Sequence, residues 1–206
     1  MSRKAVWLAA ALALWGLCGV IAWGALMLFQ QTPGISAQAP SQWPASTNIR
    51  PSPGRAQLVV FVHPRCPCTR ATLDELKELV ENATTPVDVH LLYYRPAGTE
   101  KDWLRTDLWD SASRISNAVV HEDINGELAR RFGVKTSGQV LYYDGRGRLL
   151  LATGITAGRG NTGANQGRDA VAALLAGHVP STDQAAVFGC PLGNDTLFTS
   201  RLGSVP

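Results

Sequence analysis

A chain of 206 residues, 45% of them hydrophobic, can bury the core of one ordinary domain and still carry additional segments. Its 19 basic and 16 acidic residues leave a formal net charge of +3, and no run of like charge stands out. Because this basic excess is weak and scattered, it argues against a nucleic-acid partner.

The N-terminus contains a long apolar segment. Residues 1–4 (MSRK) precede residues 5–29, AVWLAAALALWGLCGVIAWGALMLF, which carry no charge. About 20 apolar residues span a bilayer as a helix, whereas the apolar region of a secretory signal has about 7–15 residues. The segment therefore predicts a transmembrane helix. Ala37-Gln38-Ala39 resembles a cleavage site, so removal of the segment is the alternative.

The basic residues indicate the orientation of this helix. Arg3 and Lys4 lie before it, and the next basic residue is Arg50. Because positively charged flanks stay in the cytoplasm, we predict a cytoplasmic N-terminus and an outward domain. In a bacterium this gives a single-pass protein of the inner membrane with its domain in the periplasm, where disulfides can form.

Residues 30–54 differ in composition from what precedes and follows them. They hold several prolines, many small polar residues and no periodic pattern. Such a composition is typical of a flexible linker, here between the membrane and a folded domain.

Residues 55–177 alternate between apolar runs and helical patterns, and residues 178–206 form a tail without strong periodicity. Strands are predicted at 58–62, 87–94, 139–143 and 149–153, with a short additional strand at 117–122. Helices are predicted at 69–82 and at about 102–113, 125–132 and 165–176. Continuously apolar strands indicate a sheet covered on both faces, and the last two strands read as a hairpin. The prediction is a three-layer α/β/α domain with a mixed central sheet.

The stretch HPRCPCTR, residues 63–70, carries the chemistry that the sequence suggests. Proline is favoured at the first helical position, so Pro67 makes Cys66 the cap of the following helix. Free N–H groups and the helix dipole stabilise a thiolate there, which makes Cys66 the predicted nucleophile. We expect Arg65 and Arg70 to add positive charge, and His63 to accept or donate a proton.

The single residue between Cys66 and Cys68 makes a bond between them strained, and hence easily reduced. Cys190 is the other cysteine expected on the same side of the membrane, and it is a possible resolving thiol. We expect the tail to fold back onto the domain with Phe188 and Leu192 as apolar anchors. Docking at the cysteine end brings Cys190 to Cys66 or Cys68, whereas docking elsewhere makes it a bystander.

Several of these motifs together resemble a known superfamily. HPRCPCTRA at a strand-to-helix junction and FGVKTSGQVLYYDGRGRLLLATG further on resemble thioredoxin-like domains of the membrane-anchored TlpA/ResA kind, over roughly residues 56–177. Together with GITAGRG and GANQGR they are most similar to RedB-type thioredoxin-like proteins. The resemblance places the redox residues at Cys66 and Cys68, and it places Gly138 where thioredoxins carry a cis-proline. It implies a thiol-disulfide oxidoreductase without a cofactor, acting on a protein or small-molecule thiol or disulfide. The resemblance does not indicate which electron donor the protein uses.

The loop 158–163, GRGNTG, matches GxGxxG. A dinucleotide site needs a following parallel strand that ends in an acidic residue, and only the tail follows here. In a thioredoxin-like layout this loop lies near the cysteines. We expect a polar or anion-binding rim there, or else a flexible surface loop; the candidate rim residues are Gly154, Thr156, Arg159, Asn165 and Arg168.

Two other functions fit the same cysteines. Soft thiolates favour Cu(I), so Cys66, Cys68 and His63 could form a metal-delivery site. Alternatively, Cys66 could be a peroxidatic cysteine that forms sulfenic acid, with Cys190 as the resolving residue. His90 and His121 are interpreted as structural or surface residues.

Overall fold

The computed structural model describes residues 2–193 and divides them into two units, with the boundary after Thr32. The first unit is the helix α1 (Arg3–Gln31), capped by the Ser2 hydroxyl, which accepts a hydrogen bond from the Ala5 N–H at 3.3 Å. Among the described residues, α1 is the one helix long and apolar enough to cross a membrane.

The second unit begins at Pro33 and is built on a five-stranded sheet. In chain order the strands are β1 (Ala56–Val62), β2 (Val87–Arg95), β3 (Ala118–Ile124), β4 (Gln139–Tyr143) and β5 (Leu149–Gly154). Across the sheet their order is β3-β2-β1-β4-β5. The first three strands are parallel, and β4 and β5 run antiparallel to their neighbours.

Helices cover both faces of this sheet, because side chains alternate along the central strand. Leu58 and Val60 of β1 face one side, where α2 (Pro67–Glu81), α3 (Asp107–Ala112) and α5 (Gln166–Leu175) pack. Val59 and Phe61 face the other side, where α4 (Glu127–Arg131) and Phe132 lie. The predicted three-layer domain with a mixed sheet is confirmed.

The helix predicted at about 102–113 is wrong as a single element. The structure has a 3₁₀ turn at Lys101–Leu104, followed by the short helix α3. The break falls at Thr106, whose backbone is extended and whose hydroxyl donates to the Pro64 carbonyl at 3.2 Å. This hydrogen bond ties the start of α3 to the loop that leads into the cysteines.

The segment predicted as a flexible linker, 30–54, is held against the domain from Gly34 onward. The Gln38 N–H donates to the Gly133 carbonyl at 2.9 Å, and the Trp43 N–H donates to the Gly147 carbonyl at 2.8 Å. Trp43 packs edge-on to Phe132 and Tyr143, and Ile49 is buried in the same cluster. This cluster lies on the face of the sheet that α4 covers. The proline-rich segment has no periodic pattern, so its sequence did not indicate that Trp43 and Ile49 anchor it to the domain.

Candidate functional site

Cys66 lies at the junction between β1 and α2, as the sequence predicts. Its backbone is extended, it is the N-cap of α2, and Pro67 takes the first helical position. The turn before it is closed by the Cys66 N–H, which donates to the His63 carbonyl at 3.0 Å, and by the Thr69 hydroxyl, which donates to the same carbonyl at 3.0 Å. The helix therefore starts at a fixed point, with the Cys66 side chain at its positive end.

Residues 187–192, here called the strap, run beside the loop that precedes β4. The Ser137 N–H donates to the Cys190 carbonyl at 2.8 Å, and the Leu192 N–H donates to the Lys135 carbonyl at 2.8 Å. The Cys190 N–H in turn donates to Ser137 Oγ at 2.9 Å. Phe188 and Leu192 are buried, as is Val187, so the expected apolar anchors do hold this part of the tail.

The strap brings a third sulfur atom to the site. The Cys190 Sγ lies 2.6 Å from the Cys66 Sγ, and the three cysteines 66, 68 and 190 are free thiols. Of the two docking positions considered for the tail, the structure therefore has the one at the cysteine end. A covalent S–S bond is about 2.05 Å long, so the two sulfurs need to approach only slightly to form a disulfide.

The three sulfurs differ in their proton affinity. Hydrogen bonds donated by the Cys190 thiol, and next by the Cys68 thiol, lower the pKa of Cys66, with smaller contributions from the Cys68 N–H and the Ser137 hydroxyl. The same bonds to Cys66 raise the pKa of Cys68 and of Cys190. Negative charge at this site therefore belongs on Cys66, with two protonated thiols facing it.

His63 and Arg65 sit in an aromatic pocket beside Cys66. The His63 ring stacks on Tyr94 at 5.5 Å between centroids, and the Arg65 guanidinium lies 4.8 Å above the Trp103 ring. Burial lowers the pKa of His63, and its Nδ1 accepts a hydrogen bond from the Arg65 N–H at 3.2 Å. His63 is thus a neutral ring held by its neighbours.

The two arginines expected to add positive charge at the thiolate have other partners. Arg65 is placed over Trp103, and Arg70 forms an exposed ion pair with Asp107 of α3. The expectation that they stabilise the thiolate overlooked these partners, because both are remote in sequence.

Gly138 and Gly154 make room for the strap. Gly138 has a φ of +83°, and a Cβ there would lie 3.2 Å from the Phe188 carbonyl oxygen. A Cβ at Gly154 would lie 2.6 Å from the Cα of Val187, the first residue of the strap. Larger side chains at these positions would push the strap away, since both distances are shorter than ordinary contacts. No cis peptide bond occurs in residues 2–193.

Of the residues predicted to form a polar rim, Arg159 reaches the cysteines. Its Nη1 donates to the Gly189 carbonyl of the strap at 2.7 Å, and its positive charge acts on Cys68 and Cys190 in the direction of a lower pKa. The neighbouring Thr156 is buried. The sequence placed Arg159 here only through the thioredoxin-like layout.

Asn165 and Arg168 have structural partners instead. Asn165 caps α5 by accepting a hydrogen bond from the Arg168 N–H at 2.9 Å. Arg168 pairs with Glu75 at 2.5 Å and with Glu78 at 2.8 Å, and Glu75 also accepts a hydrogen bond from the Gly163 N–H. The GxGxxG loop is therefore tied to α2 by a carboxylate, and the hydrogen bonds and ion pairs of these two residues hold α5, α2 and the loop together.

Ser137 is the residue that sequence reasoning missed. It is buried, it is bonded to the strap backbone through Oγ, and its hydroxyl is directed at Cys66. A signal was present, because Ser137 directly precedes Gly138 in the segment expected beside the cysteines.

A metal site has less support: within residues 2–193 no group of three or more His, Cys, Asp or Glu residues is arranged to hold a metal ion.

Comparisons with known proteins concern the fold. No protein-family model matches the chain, and no curated protein matches it. A hypothetical protein from Sinorhizobium meliloti 1021 is 22% identical, with a TM-score of 0.56 over 78% of this chain and 93% of that chain. An uncharacterized conserved protein from Geobacillus kaustophilus is 17% identical, with a TM-score of 0.56 over 79% of this chain and 92% of that chain.

A secreted disulfide oxidoreductase of Mycobacterium tuberculosis, homologous to E. coli DsbE, is 15% identical, with a TM-score of 0.41 over 60% of this chain and 81% of that chain. Sequence identities this low are evidence for a shared fold and for nothing beyond it. The fold, a mixed sheet with three parallel strands followed by an antiparallel hairpin and with helices on both faces, is thioredoxin-like.

Proposed function

We propose that this protein is a membrane-anchored thiol-disulfide oxidoreductase with Cys66 as its nucleophile. The observation that carries the proposal is the position of Cys66 at the start of α2, where the thiols of Cys190 and Cys68 donate hydrogen bonds to its sulfur. A thiolate is the reactive form of cysteine, and this arrangement maintains it at neutral pH.

The reaction has two exchange steps. In the first, the Cys66 thiolate attacks one sulfur of a substrate disulfide, so that a Cys66–substrate bond forms and the other substrate sulfur leaves as a thiolate that takes up a proton. In the second, a resolving thiol gives up its proton and attacks the Cys66 sulfur, which releases the second substrate thiol. Two electrons pass from the protein to the substrate, and an external dithiol returns them. The same steps in reverse oxidise a substrate dithiol.

Cys190 is the better placed resolving thiol. Its sulfur lies 2.6 Å from that of Cys66, and it is on a separate segment that reaches the site without distorting α2. Cys68 lies within the first turn of α2, where a bond to Cys66 strains the chain. We therefore assign Cys68 to stabilising the thiolate by its hydrogen bond.

The location follows from α1. The 29-residue helix α1, predominantly apolar and near the N-terminus, fits a single membrane span, and Arg3 and Lys4 in its first turn favour a cytoplasmic N-terminus. The domain then lies in the periplasm of a bacterium. Within the thioredoxin-like proteins, the resemblance of HPRCPCTRA and TSGQVLYYD supports placing the chain with the RedB-type proteins.

The test uses the full-length protein in detergent with Cys18→Ser as the parent, so that the cysteine of α1 does not react. The parent is mixed with oxidised glutathione, and mass spectrometry follows each sulfur. We expect Cys66→Ser to abolish exchange, Cys190→Ser to accumulate the Cys66–glutathione adduct, and Cys68→Ser to retain both steps at a lower rate. Full exchange by Cys66→Ser contradicts the proposal. So does tight binding of one Cu(I) that Cys66→Ser and Cys68→Ser both lose, or consumption of hydrogen peroxide much faster than of the disulfide.

A further inference from the structure

The strap covers the residue proposed to attack the substrate. Cys66 is only 1% exposed, and the Cys190 sulfur of the strap is in contact with it. A nucleophile must approach the disulfide sulfur along the S–S axis, so a substrate cannot reach Cys66 while the strap is in place. The strap must leave before the first exchange step.

The contacts of the strap are those of a bound peptide. Its backbone pairs with residues 135–137 by hydrogen bonds from the Ser137 and Leu192 N–H groups, and Thr136 and Pro191 form an antiparallel bridge. On the strap's other side, the Gly34 N–H donates to the Val187 carbonyl at 2.8 Å. An extended segment of another protein can make the same backbone bonds, because they do not depend on side-chain identity.

The side chains of the strap define what such a segment must look like. Phe188 and Leu192, two residues to either side of Cys190, are buried, while Pro191 is exposed. A Cβ at Gly189 would lie 1.9 Å from the Ser137 carbonyl oxygen, so the position before the cysteine admits only glycine. The selected pattern is an apolar residue, glycine, cysteine, any residue, and a second apolar residue.

We propose that the strap occupies the binding site of an extended, cysteine-containing segment of a substrate protein, and that strap and substrate exchange places during turnover. This inference rests on the proposed function. The substrate segment displaces the strap, and Cys66 bonds to its cysteine while the substrate's other sulfur leaves and is protonated. When the strap returns, Cys190 loses its proton and attacks the Cys66 sulfur, which forms the Cys66–Cys190 disulfide and releases the substrate cysteine as a thiol. An external dithiol reduces this disulfide and reopens the site.

The test measures binding without exchange. The full-length protein carries Cys18→Ser, Cys66→Ser and Cys190→Ser, and the probe is the fluorescein-labelled peptide AAVFGSPLG, which copies residues 185–193 with serine at the cysteine position. Adding Gly189→Ala to the protein releases the strap by the clash with Ser137 and leaves the groove unchanged. We expect this variant to bind the peptide at least about tenfold more tightly than the parent, a gain of about 1.4 kcal/mol. Ala186→Ser, at the exposed position directly before the strap, is the matched control and should bind like the parent.

A second strap variant and a second peptide make the result decisive. Leu192→Asp removes an apolar anchor from the strap and should give the same gain, with folding checked by circular dichroism. A peptide with alanine in place of its glycine should bind about tenfold more weakly to both variants. The inference is overturned if both folded variants bind the peptide no better than the parent, or if the alanine peptide binds equally well. Because no cysteine takes part, these results are independent of the glutathione experiment that tests the proposed function.

Discussion

Ser137 and Cys190 are joined by two hydrogen bonds, one from the Ser137 N–H to the Cys190 carbonyl and one from the Cys190 N–H to Ser137 Oγ. The Ser137 hydroxyl also lowers the pKa of Cys66. One buried side chain thus holds the strap in place and stabilises the thiolate that the strap covers.

Replacement of Ser137 should therefore change the ionisation of Cys66. With Ser137→Ala the thiolate loses a donor, so its pKa rises and less of it is present at low pH. We expect the pKa of Cys66, measured from the ultraviolet absorbance of the thiolate as the pH is lowered, to rise by up to about 1, which corresponds to about 1.4 kcal/mol for a hydrogen bond to a charged group. Thr136→Val is the control, because the Thr136 hydroxyl donates to the Ile35 carbonyl. An equal rise of the Cys66 pKa in the control would refute a specific role for Ser137.

Arg159 should act on the second exchange step. Its charge opposes the high pKa of Cys190, and its hydrogen bond to the Gly189 carbonyl holds the strap. Removing the charge with Arg159→Gln raises the pKa of Cys190, so resolution slows and the Cys66–glutathione adduct persists several-fold longer. Arg159→Lys keeps the charge and should be intermediate. Rapid acid quenching followed by mass spectrometry gives both lifetimes, and a slower first step with an unchanged second step would argue against this role.

Glu75 should contribute strongly to stability. It is 4% exposed, it pairs with Arg168, and it accepts the Gly163 N–H, so it joins α2, α5 and the glycine-rich loop. Glu75→Gln leaves Arg168 without its buried partner, and we expect a loss of about 3 kcal/mol in the free energy of unfolding. Glu78→Gln is the matched control: its side chain is 62% exposed, and the loss should stay below about 1 kcal/mol. Urea titration measures both, and similar losses would show that burial is not the cause.

His90 should make the fold sensitive to acid. Its ring contacts Gln57 and His121, and burial lowers its pKa to about 4. Since the unfolded chain binds a proton at an ordinary pKa near 6.5, the contribution of neutral His90 is complete above pH 6.5 and is lost as the pH falls towards 4. We expect a loss of up to about 3 kcal/mol across this range.

Thermal unfolding between pH 4 and pH 7 measures this dependence. His90→Gln should make it shallower, whereas the exposed His178→Asn should leave it unchanged. A dependence that is equally steep in His90→Gln would assign the acid sensitivity to other groups.

Much of the fold could be predicted because its signals are local. The central strand β1 is a continuous apolar run, and Pro67 marks the start of α2 two residues before the helical pattern becomes regular. The hairpin between β4 and β5 follows from its Asp-Gly turn. These features depend on neighbouring residues, so the printed sequence contains them.

The site could be predicted only in part because its remaining contacts join residues far apart in sequence. The proposed nucleophile, Cys66, follows from its position at a helix start, but Arg70 and Arg168 are engaged by Asp107 and Glu75, which no local pattern pairs with them. The meeting of Ser137 with Cys190 likewise depends on how the tail folds back. Charge alone did not indicate which arginine faces the sulfurs.

Trp43 also sets where the chain can be shortened. Its ring lies against Phe132 and Tyr143, and its indole N–H donates to the Ile49 carbonyl at 3.2 Å. A water-soluble version that begins at residue 55 would strip this aromatic cover from one face of the sheet and leave a patch prone to self-association. A version that begins at Pro33 retains the cover, and it also retains Gly34, which holds the strap at Val187.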